Sequence, residues 1–232
     1  MRFRKWDNLP EFMKCDEVRV YYDILEKKQM ALGLKRIFDV IVAVIMLLIF
    51  AIPILVIAIL IKLDSPGPVF YRQERITIYG KKFKIHKFRT MVNHADKIGT
   101  AVTVEDDVRI TKIGSKLRHL RIDEIPQLID VLSGDMSFVG TRPEVAKYVE
   151  KYKPEYNATL LLPAGITSEA SIRYKDEDKM LRAADDVDQV YMEHVLPDKM
   201  KWNLNSIKKF SFHRDIWTML RTFIAVLVKQ YE

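Results

Sequence analysis

The residues best suited to chemistry lie at Arg121-Ile122-Asp123-Glu124-Ile125-Pro126-Gln127-Leu128. Proline is tolerated in the first turn of a helix, so Pro126 predicts a helix start at about Asp123. Two adjacent carboxylates at a helix N-terminus face free backbone N–H groups and the positive end of the dipole. Neighbouring side chains there point in different directions, so one could stay an ionised nucleophile while the other holds a divalent cation. Taken alone, the pair is most simply an N-cap Asp with a favourable first-turn Glu, worth ~1 kcal/mol. Gly134-Asp135-Met136-Ser137-Phe138-Val139-Gly140-Thr141-Arg142-Pro143-Glu144 is the second locus. Its glycines, the planar fork of Arg142 and Pro143 opening a helix suit phosphate oxygens, although such turns are common. Lys84 to Met91, with Lys87 and Arg89, is basic and strand-like and reads equally as a patch facing anionic lipid.

These groups need elements to carry them. Val40 to Ile61 contains no charged residue, and its length matches the roughly 20 residues a helix needs to cross a bilayer core. It starts too late and runs too long for a signal peptide. Pro53 falls just past its middle, and Lys35, Arg36 and Lys62 flank both ends, so the positive-inside rule gives no orientation. A helix-break-helix returning through one leaflet and a kinked spanning helix fit this segment equally. Before it, Val18, Tyr21, Tyr22, Leu25 and Leu32 recur at helical spacing, as an interfacial helix or a loose tail. Asp64-Ser65-Pro66-Gly67-Pro68 marks a break. Val69 to Met91 predicts two short strands around Tyr79-Gly80-Lys81. Helices are expected over 112–121, 123–133 and 143–156, a turn at Leu162–Gly165, and one long helical pattern over 206–228 with Ile216, Leu220, Phe223 and Leu227 on a shared face. The acidic stretch 175–188, with Asp185, Asp186 and Asp188, reads as a solvated face.

Composition narrows the class. Hydrophobic residues at 49% and charged ones at 30% exclude global disorder, and eight Gly and nine Pro exclude low-complexity architectures. Cys15 is the only cysteine, which excludes a disulfide framework and any Cys-based zinc site. His86 and His94 lack metal-ligand spacing. The net charge is +7, and residues 62–121 alone hold fourteen Lys or Arg against six acids. Such a block suits nucleic acid, anionic lipid or a polyphosphate substrate.

The order of motifs resembles the bacterial sugar transferases of the monotopic phosphoglycosyl transferase family. The blocks are KRIFD at Lys35–Asp39, the proline-bearing apolar segment, DSPGPV at Asp64–Val69 and KFRTM at Lys87–Met91. DDVRITKIG at Asp106–Gly114, IDEIPQL at Ile122–Leu128, LSGDMSFVGTRPE at Leu132–Glu144 and AGIT at Ala164–Thr167 follow. The resemblance implies transfer of a sugar phosphate from a UDP-sugar to polyprenol phosphate, with UMP released and Mg²⁺ required. It implies that Asp123 is the nucleophile, forming an acyl-phosphate intermediate, and that Glu124 is the metal ligand. Arg142 and Pro143 fall in the family's phosphate-binding turn, and Lys87 and Arg89 match a basic pair near the site. Pro53 becomes the break of a re-entrant membrane helix, with the catalytic domain on the cytoplasmic face of the bacterial inner membrane. Thr141 stands where the family usually has proline.

The expected fold is mainly α with a small β-hairpin element, a re-entrant membrane helix-break-helix and amphipathic interfacial helices around a compact cytoplasmic catalytic domain. Residues 1–34 form an N-terminal extension, 35–63 the re-entrant helix and 64–232 the catalytic domain. Anionic membrane lipids are expected partners, nucleic acid is not, and a homo-oligomer is left open. The rivals are a one-step metal-dependent transferase without a covalent intermediate and a non-catalytic, membrane-anchored basic recruitment module.

Overall fold

An uncharged run of Val, Ile, Leu and Ala should form one long helix, and it does. The computed structural model describes residues 3–93, 95, 107–174 and 186–228. In chain order the elements are α1 (Asp16–Glu26), α2 (Gln29–Asp64), β1 (Phe70–Ile76), β2 (Lys82–Phe88), α3 (Lys112–His119), α4 (Gln127–Ser133), β3 (Met136–Val139), α5 (Ala146–Val149), β4 (Ala164–Thr167), α6 (Glu169–Arg173), α7 (Val187–Val190), α8 (Leu196–Lys208) and α9 (Phe212–Val228). The architecture is mostly helical with two small sheets.

Helix α2 is 36 residues long and runs through Pro53 without a non-helical residue. The expected interruption at Pro53 is therefore not found. Proline removes one backbone hydrogen bond, and packing of Phe50 on one side and Ile54 and Ile57 on the other against the domain keeps the rest of the ladder. Leu32, Lys35, Asp39, Ala43, Ile57 and Ile61 are buried and share one face. The opposite face exposes Leu48, Ile52, Leu55, Ile59 and Leu63.

Polar residues fasten both ends of α2 to the same body. At the first end Arg36 donates to the carbonyls of Val131 (2.5 Å) and Leu132 (2.8 Å), closing the C-terminus of α4. Lys35 donates to Val139 O at 2.9 Å and pairs with Asp215 at 2.6 Å. Asp39 accepts from Ser137 Oγ at 2.7 Å. At the far end Asp64 accepts from the Ile113 amide at 3.0 Å, satisfying an orphan donor at the start of α3. Arg89 donates to the carbonyls of Ser65 and Pro66, both at 2.7 Å.

The segment before Lys35 is folded onto the domain. Val18, Tyr21, Tyr22 and Leu25 of α1 are buried against Leu160 and Leu161 of the 3-10 segment Pro154–Leu161 and Leu204 and Ile207 of α8. The apolar face of α1 meets protein, where an interfacial helix would offer it to lipid.

β1 and β2 form the expected antiparallel hairpin, from Phe70 opposite Phe88 to Ile76 opposite Lys82. Its turn uses positive φ at Tyr79 (56°) and Gly80 (75°). β3 and β4 form a parallel pair that replaces the turn expected at Leu162–Gly165. The backbones meet closely, since a Cβ on Gly165 would lie 2.2 Å from Gly140 N. The helix expected over 143–156 is confined to Ala146–Val149, because Pro154 holds Lys153 extended. The pattern over 206–228 divides into α8 and α9, separated around buried Phe210. Of the acidic stretch, 175–185 lie outside the described residues, as does His94. Asp186 caps α7 and Asp188 pairs with Lys147 at 2.6 Å.

Gly165→Ala should cost about 1–3 kcal/mol or more through forced separation of β3 and β4. Gly33→Ala, in α2 with open space around it, should leave the melting temperature unchanged or raise it. Thermal unfolding in detergent checks both, and equal effects would mean that the glycine pair does not set this contact.

Candidate functional site

Asp123 and Glu124 lie in a 3-10 turn, Ile122–Glu124, entered through Arg121 at φ 56°. Helix α4 begins only at Gln127, after Pro126. The expected helix start at Asp123 is thus corrected: Pro126 cannot donate to the Ile122 carbonyl, so the chain takes i→i+3 bonds until it is past. The amides of Ile125 and Leu128 accordingly donate to Ile122 O (3.2 Å) and Ile125 O (3.1 Å). The carboxylates sit ahead of the α-helix, and cationic side chains from elsewhere meet them.

Lys87 of β2 reaches Glu124 Oε1 at 2.7 Å. Arg142, from the loop after β3, grips both oxygens, through a short contact to Oε1 and one of 3.3 Å to Oε2. This is the planar fork-on-carboxylate arrangement that a lysine cannot reproduce. Burial pushes the Glu124 carboxyl up, but Arg142 and Lys87 outweigh it and hold it well below the usual range. Asp123 goes the other way. Burial first, then the Glu124 charge, raises it against the pull of Lys87, Arg118 and Arg142. Burial also lowers Lys87, with Glu124 opposing. Neighbouring carboxylates whose affinities for a proton are driven apart can divide roles, one as a fixed anion and one as the more basic nucleophile.

The Arg142 loop is fastened on both sides. Gly140 N donates to Thr167 O (3.0 Å) and Gly165 N to Thr141 O (2.8 Å). Pro143 is buried and its carbonyl accepts from Arg75 at 3.2 Å. Glu144 takes the Tyr191 hydroxyl at 2.5 Å, and Lys199 donates to that hydroxyl at 3.2 Å.

The structure brings Asp123, Glu124, Lys87 and Arg142 together, with Pro143 behind the arginine. It does not bring Arg89 to them. That guanidinium is buried and bonded to Ser65 and Pro66 at the end of α2. Pro53 lies within α2. Arg118 of α3, which sequence reasoning did not single out, acts on the Asp123 charge; its signal was a basic helix ending just before the dyad. His86 pairs with buried Asp130 at 2.6 Å, which fixes β2 against α4.

A magnesium ion takes one or two carboxylates and completes its shell with phosphate oxygens and water. The hard oxygens of Asp123 and Glu124 fit that use, and Glu124 Oε2 takes the longer of the two Arg142 contacts, at 3.3 Å. Among the described residues no cluster of three or more His, Cys, Asp or Glu could hold a metal unaided.

Asp123 holds its proton more tightly folded than unfolded, so its contribution to stability falls as pH rises from the ordinary carboxylate value through the raised one. Above both, its charge is a net penalty. Asp123→Asn should therefore raise the melting temperature at pH 7.5. Glu124 is the reverse: its contribution is present above the ordinary Glu value and lost as pH falls through the lowered one. Glu124→Gln should lower the melting temperature at pH 7.5. Scanning fluorimetry at pH 7.5 reads both, and a destabilised Asp123→Asn would contradict the buried-charge account.

The comparisons with known proteins concern the family of the chain. The model of the family described as bacterial sugar transferase matches residues 30–229. A Bacillus subtilis (strain 168) protein, provisionally named an undecaprenyl-phosphate N-acetylgalactosaminyl 1-phosphate transferase, is 42% identical over 159 residues, covering 68% of this chain and 87% of its own. A Caulobacter vibrioides UDP-glucose:undecaprenyl-phosphate glucose-1-phosphate transferase is 36% identical over 196 residues, covering 83% of this chain and 69% of its own. An Aeromonas hydrophila UDP-N-acetylgalactosamine-undecaprenyl-phosphate N-acetylgalactosaminephosphotransferase is 34% identical over 197 residues, 84% of this chain, which spans 44% of that protein. With the paired carboxylates, the arginine fork and a family match across most of its length, the chain belongs to the bacterial sugar transferases.

Proposed function

We propose that this protein transfers a sugar phosphate from a UDP-sugar to polyprenol phosphate, releasing UMP, through a covalent intermediate on Asp123. The observation that carries the reading is the pair itself. Glu124 is an anion locked by Lys87 and Arg142, while its neighbour Asp123 is held at raised basicity. In the first step an Asp123 carboxylate oxygen attacks the phosphorus that bears the sugar. The bond from that phosphorus to the bridging oxygen breaks, and the oxygen leaves with UMP. In the second step an oxygen of polyprenol phosphate attacks the same phosphorus and frees Asp123. Arg142, Lys87 and Arg118 supply the positive charge that such an exchange needs around phosphate oxygens. A bound magnesium ion, with Glu124 as its protein ligand, would neutralise charge on the diphosphate and the departing UMP. The names of the relatives support a nucleotide-linked hexose or N-acetylhexosamine as donor and undecaprenyl phosphate as acceptor.

A same-side membrane topology accompanies this reading. Helix α2 is long and apolar enough to cross a membrane. Lys35, Arg36 and Asp39 at one end and Asp64 at the other nevertheless bind one domain. A bilayer core about 30 Å thick cannot lie between two ends so fixed. The arrangement this supports keeps both ends of α2 on the cytoplasmic side, the continuous helix lying against that leaflet with its exposed Leu48–Leu63 face in acyl chains.

Purified protein with a panel of UDP-sugars should release UMP only when the right donor is present. Without acceptor, donor labelled in its sugar-linked phosphate should leave label on the protein, and Asp123→Asn should abolish both labelling and turnover. Turnover with no trapped label would favour direct attack by the lipid phosphate, and no UMP from any donor would overturn the activity. Arg142→Lys should lose roughly 1.5–3 kcal/mol of charge-assisted bonding, at least about tenfold in rate. Full activity there would reduce the arginine to a point charge. Single cysteines near residues 10 and 200, in a Cys15-free background, should show equal access to an impermeant maleimide in intact cells. Labelling at the first alone would mean that the chain crosses the bilayer.

A further inference from the structure

Helix α9 is amphipathic in the wrong sense for a helix packed on a soluble domain. Its polar residues face inward. Asp215 pairs with Lys35 at 2.6 Å, and Thr218, only 5% exposed, reaches Glu169 at 3.4 Å. Thr222 meets Thr167 at 2.7 Å, and Arg221 donates to both oxygens of Glu169 at 2.8 Å. Its large apolar residues face outward: Trp217 is 59% exposed, Leu220 52%, Phe223 66% and Ile224 55%. On a helix these four fall within one third or so of the circumference, opposite Asp215, Thr218 and Thr222.

Water cannot be the medium for that face. Four large side chains in one contiguous row form the kind of patch that marks a protein or membrane contact. Burying them would contribute on the order of 1.5–3 kcal/mol apiece. The neighbouring element decides between the two. α9 packs beside α2: the Phe38 and Phe212 rings meet edge to face at 5.4 Å, and Met219 joins the cluster that contains Ala43, Met46 and Phe50. The exposed row of α9 therefore adjoins the exposed apolar face of the helix that associates this chain with a membrane.

We propose that α9 is a second membrane-seated element, its Trp217–Leu220–Phe223–Ile224 face sunk among the acyl chains of the leaflet that receives α2. Its inward polar face ties it to Lys35 on α2 and to Thr167 and Glu169 at the end of β4. Arg214 is exposed beside the row and can reach the headgroups on its long stem. The depth of α9 in the leaflet is thereby linked to β3 and β4, whose glycine contact positions the Arg142 loop. This inference rests on membrane association and is independent of the reaction.

Nitroxide labels on single cysteines at positions 214, 220, 224 and, on the outer face of α2, 52 provide the test. The full chain carries Cys15→Ser and is reconstituted in bilayer nanodiscs of phosphatidylethanolamine and phosphatidylglycerol. Collisions with oxygen, which concentrates in acyl chains, should exceed collisions with a water-soluble nickel chelate severalfold at 220, 224 and 52, and the order should reverse at 214. Labels at 220 and 224 that behave like 214, while 52 keeps its lipid signature, would overturn the seating of α9 and leave the α2 reading intact. Spin–spin broadening between copies at 220 would overturn it in favour of a second chain as occupant. A nickel-accessible label at 52 would remove membrane seating for both helices. Native Trp217 gives a second measurement free of labels. Brominated phospholipids should quench a fraction of the fluorescence that is missing in Trp217→Phe, and equal quenching in the two proteins would count against the proposal.

Discussion

A buried carboxylate without a counter-charge is too costly to keep, and Glu124 sets that condition for the whole site. Lys87 comes from the end of a hairpin strand, Glu124 from a tight turn and Arg142 from a loop after a parallel strand. None of the three is close to the others in sequence. The hairpin, the turn and the β3–β4 pair must therefore converge before the charge is tolerable, so folding and assembly of the site are one event. The same arrangement explains why Asp123 differs from its neighbour. Lys87 and Arg142 are committed to Glu124 at hydrogen-bond distance, and at Asp123 burial and the adjacent anion outweigh the pull of Lys87, Arg118 and Arg142. One carboxylate is stabilised by position and the other activated by it.

Around this centre the membrane helix is built in as a structural member. Ile57 and Ile61 of α2 pack with Phe88, next to Lys87, with Leu117 of α3, and with Ile122 and Ile125 on either side of the dyad. A shift of α2 would thus be carried directly to the carboxylates through close-packed side chains, which are stiff. Lys35, Arg36 and Asp39 perform the corresponding task at the other end by satisfying the C-terminus of α4 and the backbone and hydroxyl groups of β3. Charges at the edge of an apolar helix often read as interfacial anchors, and here they are brackets to the catalytic body.

Arg89 and α9 show how residue type and residue role can separate. Arg89 is two residues beyond Lys87 and would share its face in a continued strand, but β2 ends at Phe88 and the arginine bonds the carbonyls of Ser65 and Pro66. It closes the exposed carbonyls at the end of α2, a task as demanding as phosphate binding and invisible in the motif. The apolar periodicity of α9 is plain in the sequence, but periodicity records only that a helix has two faces. Which face meets protein follows from Lys35, Thr167 and Glu169, residues 49 to 180 positions away.

What the sequence determined by itself is what neighbours along the chain determine. The apolar length of α2, the hairpin around Tyr79-Gly80, the basic helix α3 and the adjacent carboxylates all follow from local composition and period. The motif order was enough to indicate the family. Tertiary structure decided the rest: the parallel pairing of β3 with β4, the folding of α1 onto the domain, the continuity of α2 through Pro53 and the start of α4 after Pro126. It also decided which cations meet Glu124, because opposite charges and apolar faces act at contact distance in space and carry no mark in sequence of the partner they will find.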